Sequence, residues 1–193
     1  MFQMIRQSFI DFVPGLTTDE LDRICLRLQP KSFARKTIIV PEGQICQYVY
    51  FINSGAVRLF NRTNGLDRNA EYVFENNWIS EYRSFVTRGP AIQSLEAIED
   101  CEMLMLSYND VQESYNTNPK FERFGRLIAE FILAQTSNNE IENGLYTPEE
   151  RYLRLIEKDS IMLKRLTQQQ IAAYLGIQPE SLSRIRRRLA QKT

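Results

Sequence analysis

Residues 166–189 read LTQQQIAAYLGIQPESLSRIRRRL. Thr167 is placed to cap a helix, with Gln170 in the capping-box position three residues on. Ile171, Ala172 and Leu175 form an apolar stripe, and Gly176 stops that helix after roughly two turns. Ile177 and Gln178 turn the chain, and Pro179 suits the first position of a second helix. There Leu182, Ile185 and Leu189 recur at helical spacing and share one face. The other face carries Glu180, Ser181, Ser183, Arg184, Arg187 and Arg188. Two short helices joined by a glycine turn predict a helix-turn-helix, whose second helix fits a DNA major groove. The same pattern also suits a C-terminal helical hairpin with a merely solvated basic face.

Charge supports the first reading. Residues 161–193 hold seven Lys/Arg (Lys164, Arg165, Arg184, Arg186, Arg187, Arg188, Lys192) against the single acid Glu180, a net +6. The whole chain is formally neutral, so the first 160 residues carry −6. A basic module on an acidic body is expected where only one end must meet phosphates.

Upstream, Thr147-Pro148-Glu149-Glu150 reads as cap, first position and capping-box acid of another helix carrying Tyr152, Leu153, Leu155 and Ile156. With the two helices above it predicts a three-helix core. Ile161-Met162-Leu163 reads as a short strand or a tight apolar connection. Residues 136–147 are polar and glycine-containing, the best boundary in the chain. Before them, Asn118 caps a helix opened by Pro119, with Phe121, Phe124, Leu127, Ile128, Phe131 and Ile132 in a wide apolar stripe. Such a stripe can cover a sheet on one side and an identical helix of a second subunit on the other, or be buried within one chain.

Between residues 32 and 107 the period shortens. Thr37–Val40, Gln47–Ile52, Ala56–Phe60, Ala70–Phe74, Ser94–Ile98 and Glu102–Leu106 read as strands, punctuated by Pro41-Glu42-Gly43, Asn53-Ser54-Gly55 and an Asn64-Gly65 hairpin turn. Six or more short strands with glycine turns and no internal crossover helix predict an antiparallel sandwich or roll. Residues 5–28 read as two helices broken at Pro14-Gly15, the second capped by Thr17 or Thr18.

A chain of 193 residues, 43% hydrophobic and 11% aromatic, holds one substantial domain and one small one. No apolar run is long enough to span a bilayer and no cleavable leader is read at the N-terminus, so a cytoplasmic location is expected. Three scattered cysteines, Cys25, Cys46 and Cys101, fit reduced core thiols. With no histidine, His-based metal sites and Ser-His-Asp triads are excluded. No cofactor, metal site or catalytic residue is expected, an unknown small-molecule effector is left open, and the protein is not expected to be an enzyme.

A β-roll, a long helix, a hinge and a C-terminal helix-turn-helix resemble the CRP/FNR transcription regulators. The resemblance spans about residues 15–189. Its strongest local echoes are Tyr50-Phe51-Ile52-Asn53-Ser54-Gly55-Ala56-Val57 and Leu166–Leu189. It implies an α+β fold: an antiparallel β-roll (a cupin-like jelly roll) flanked by helices, a long dimerisation helix and a helix-turn-helix bundle. The domains implied are an effector domain over 1–116, a dimerisation helix and hinge over 117–142 and a DNA-binding domain over 143–193. Glu180 and Arg184 match the family's base-reading pair; Arg184 would reach a guanine, and Glu180 a cytosine or Arg184 itself. A helix-dipole role for Glu180 and a surface-charge role for Arg184 are the plainer alternatives. Thr167, Gln169 and Ser181 match positions that touch phosphate or support the fold, and Arg187 and Arg188 join them as phosphate contacts. Pro179 stands where a further base-reading arginine is common.

The effector pocket departs from the family. Ser80-Glu81 stands for a glycine-glutamate pair, and Ala91-Ile92 for a phosphate-binding arginine and its hydroxyl neighbour. Burying a cyclic phosphate without a cation is costly, so cyclic AMP and cyclic GMP are not expected ligands. Arg83 and Arg88 are the substitutes if the register shifts. The chain stops four residues past Leu189, where the family usually continues into a β-wing. The partners expected are double-stranded DNA and a second copy of the chain, with RNA polymerase a further candidate and no membrane. The competing reading is a small-ligand-binding or protein-interaction module that has lost DNA reading.

Overall fold

The computed structural model describes residues 2–63, 66–158 and 160–191. The fold is α+β, and contacts divide it into two units, Met1–Leu59 with Val73–Ala134 and Phe60–Tyr72 with Gln135–Thr193. The Asn64-Gly65 turn and Lys192 lie outside the described residues.

Helices α1 (Gln3–Phe12) and α2 (Thr18–Cys25) open the chain. Thr17 is the cap of α2: its hydroxyl oxygen accepts from the Glu20 backbone N–H, and the Glu20 carboxylate accepts from the Thr17 N–H at 2.7 Å. Eight strands follow: β1 (Gln29–Phe33), β2 (Ile38–Val40), β3 (Tyr48–Ser54), β4 (Val57–Thr63), β5 (Leu66–Val73), β6 (Trp78–Ile79), β7 (Ser94–Ala97) and β8 (Cys101–Ser107). They form two four-stranded sheets, ordered β1-β8-β3-β6 and β2-β7-β4-β5. Antiparallel register sets Phe51 opposite Leu104 and Ile52 opposite Met103, and all four side chains are fully buried.

Gly55 makes the turn after β3 obligatory. Its φ is +90°, and a side chain there would strike the Asp100 carbonyl oxygen and lie 2.8 Å from Cys101 Sγ.

The roll also holds a short helix, α3 (Tyr82–Thr87), which is too short for apolar periodicity to mark it, and one local expectation fails. Ile161–Leu163 are neither strand nor connection but part of α7 (Ile161–Arg165), where Ser160 Oγ accepts from the Met162 N–H at 3.2 Å.

Helix α4 (Tyr108–Thr117) is capped by Ser107, and α5 (Pro119–Leu145) then runs for 27 residues. It continues through most of the polar stretch that composition marks as a boundary. Phe121 and Phe124 are buried, whereas Phe131, Leu133, Ile141 and Leu145 are exposed. Helices α6 (Pro148–Glu157), α8 (Gln168–Leu175) and α9 (Pro179–Ala190) complete the chain.

Candidate nucleic-acid interface

The C-terminal helices are built by local rules. Thr147 and Thr167 each complete a capping box, with Glu150 and Gln170 respectively. The Glu150 carboxyl is held below its ordinary pKa by the backbone and side-chain donors of Thr147. Gly176 adopts φ 71° and closes α8, with its own N–H and that of Ile177 bonded to the Ala172 carbonyl. Gln178 then stands at the N-cap and Pro179 at the first turn of α9. Ile171, Ala172, Leu175, Leu182 and Ile185 are buried together with Tyr152 and Leu155 of α6. Arg151 fastens α6 to the end of α8, donating to the carbonyls of Tyr174 (3.0 Å) and Leu175 (3.3 Å) while its guanidinium lies over the Tyr174 ring. These contacts leave the polar face of α9 free of its own small core.

On that face Glu180, Ser183, Arg184, Arg186, Arg187 and Arg188 are exposed, and Ser181 is half-buried. Arg184 Nη2 donates to Ser181 Oγ at 3.1 Å. Among the described residues this hydroxyl one turn back is the hydrogen-bond partner of Arg184 in the free chain. Thr167, Gln168 and Gln169 are exposed at the start of α8. A cleft of about 630 Å³ runs between the start of α6 and α9, lined by Thr147, Glu149, Ser181, Arg184, Arg187 and Arg188. Sequence reasoning missed one feature here. Arg188 Nη2 is 2.5 Å from Glu149 Oε2, so this arginine is already paired. Glu149 looks like an ordinary first-turn acid, and nothing local signals a partner 39 positions away.

Most of the candidate effector residues are bonded to neighbouring backbone in the roll. Glu81 is 3% exposed and caps α3, its Oε2 accepting from the Ser84 N–H at 2.7 Å. Ser80 donates to the Tyr48 carbonyl at 3.1 Å, and Ser84 donates to the Gly89 carbonyl. Arg88, at φ 57°, donates to the Cys46 carbonyl (2.8 Å) and Gln47 Oε1, with its guanidinium 4.3 Å from the Tyr108 ring centroid. Arg83 donates to the Pro90 carbonyl. Ala91 is buried, its backbone paired with Gly43 and Gln44, and Ile92 is exposed.

Residues 30–118 match the family model of the cyclic nucleotide-binding domain. The cyclic AMP receptor protein of Thermus thermophilus is 24% identical over 186 residues, covering 92% of this chain and 84% of the relative. The c-di-GMP-responsive global regulator CLP of Xanthomonas campestris superposes with a TM-score of 0.74 at 18% identity, covering 91% of this chain and 93% of CLP. A regulator of the CRP/FNR family from Eubacterium rectale gives 0.72 at 16% identity, over 94% and 88% of the two chains. The chain has the CRP/FNR fold. Within that fold the roll carries the buried Glu81–Ser84 network, and α8 and α9 form the helix-turn-helix.

Proposed function

We propose that this CRP/FNR-fold chain is a dimeric, sequence-specific DNA-binding transcriptional regulator without catalytic activity, and that it does not answer to cyclic AMP or cyclic GMP. The observation carrying the reading is the division of α9: Leu182 and Ile185 are buried while Glu180, Arg184 and Arg187 stand in solvent. A helix presenting a glutamate and an arginine one turn apart can accept from cytosine N4 and donate to guanine O6 and N7. The exposed Phe131, Leu133, Ile141 and Leu145 of α5 supply the apolar surface for a second copy, and a two-fold reader matches a two-fold operator.

The Thermus relative is named for cyclic AMP, but here the alanine buried at the arginine position offers a phosphate no cation. Arg83 and Arg88 are spent on backbone carbonyls. Selection from a random duplex pool at ~0.1 M salt is expected to return a palindromic preference, unchanged by millimolar cyclic AMP. Recovery of no preferred duplex overturns DNA reading and favours a protein-interaction role.

A further inference from the structure

A second cavity of about 600 Å³ lies against the outer face of the roll, between β3, β6 and β8 and the helices α3, α4 and α5. Its walls are aromatic and aliphatic: Phe9, Trp78, Phe85, Phe121 and Phe124 all line it. Rings this large, in edge-to-face contact (Phe9–Trp78 5.5 Å, Trp78–Phe124 5.6 Å), form a stiff wall that does not readily collapse. Of the candidate effector residues Ser80 lines it, whereas Glu81, Arg83, Arg88, Ala91 and Ile92 do not.

Its polar groups are few and uneven. Tyr82 and Tyr115 both line the space, and among the described residues neither hydroxyl has a hydrogen-bond partner. Gly125 of α5 admits the Tyr115 phenol, because any side chain there would collide with its hydroxyl. Burial, with Tyr82 nearby, pushes the Tyr115 phenol up to about 12, so it is a protonated donor at neutral pH. The charged lining residues are Glu122 and Arg126, and Arg126 is ion-paired with Glu130.

We infer that this cavity is a binding site for a neutral, largely apolar carbonyl compound, whose oxygen accepts from Tyr115 and Tyr82 while its hydrocarbon body packs on Trp78 and Phe124. Both tyrosines are half-buried and neither hydroxyl is among the buried unpaired atoms, so both are open to the space, where a ligand acceptor takes the place of solvent as their partner. A carboxylate would enter beside Glu122 without an uncommitted cation, which disfavours an acid of the same shape. The volume suits a molecule of roughly ten to twenty non-hydrogen atoms.

The test does not depend on DNA reading. Trp78 is the only tryptophan in the chain, so its emission reports directly on the cavity. The full-length protein is titrated with 2-decanone, decane and decanoate, followed by Trp78 fluorescence and by calorimetry. The expected order is ketone over alkane and over acid. Tyr115→Phe is expected to weaken the ketone about tenfold and leave decane unchanged, and Ala129→Phe, which fills the space, to abolish binding with the melting transition retained. Tyr115→Phe keeps the test decisive should Ala129→Phe fail to fold. Absence of heat and of emission change up to the solubility limit, equal binding of decane and ketone, or wild-type ketone affinity in Tyr115→Phe overturns the inference. So does a dimer in sedimentation whose second copy fills the cavity and leaves it closed to all three probes.

Discussion

Glu149, in the first turn of α6, is ion-paired with Arg188 in the last turn of α9 at 2.5 Å. The pair joins the two walls of the cleft beside the candidate recognition face. An arginine proposed here to meet a phosphate is thereby partly neutralised in the free chain, so on that reading the acid acts as an internal competitor.

Glu149→Gln should therefore tighten duplex binding about three- to tenfold and steepen the salt dependence by up to about one counterion. Anisotropy titrations over a range of salt concentrations measure both. Stability should change by less than ~1 kcal/mol, because Arg188 is more than half exposed and Glu149 partly so, and solvent screens the pair.

Two glycines with similar backbone angles should behave differently. At Gly55 a methyl group meets Asp100 and Cys101, so Gly55→Ala should cost at least ~3 kcal/mol in urea unfolding. Gly176→Ala meets no atom and carries only the left-handed penalty, about 1 kcal/mol.

Acid should weaken the first unit through Glu20. Lys120, the Thr17 N–H and Asn118 all donate to its carboxylate, in that order of importance, and hold its pKa at about 2 against an ordinary 4.5. A carboxyl depressed on folding stabilises the fold above its unfolded pKa and loses that contribution as pH falls through its folded one. The melting temperature should thus decline between about pH 4.5 and 2. Glu20→Gln should melt lower at pH 7 and show a flatter decline, as measured by circular dichroism.

What was legible in the chain was what local chemistry writes. The caps at Thr147 and Thr167, the stop at Gly176 and the entry at Pro179 all follow from residues within one turn of each other, and each is found as expected. The β-rich runs on either side of Asn53-Ser54-Gly55 and the glycine between them were readable for the same reason. Helix α3 escaped because six residues show less than two periods. The polar tail of α5 read as a boundary because composition records solubility, whereas helix continuity depends on an absence of breakers. The Glu149–Arg188 pair and the collision that keeps residue 125 a glycine depend on elements distant in sequence, and no local pattern encodes them.

The most direct test of the central claim compares duplex selection by the wild type and by Arg184→Ala, with the fold of the variant checked by its melting transition. The account predicts a symmetric site with a guanine in each half for the wild type, and loss of the preference at that guanine alone in the variant, at a cost of about 1–3 kcal/mol per half-site. An identical selected sequence and affinity for both proteins would contradict it.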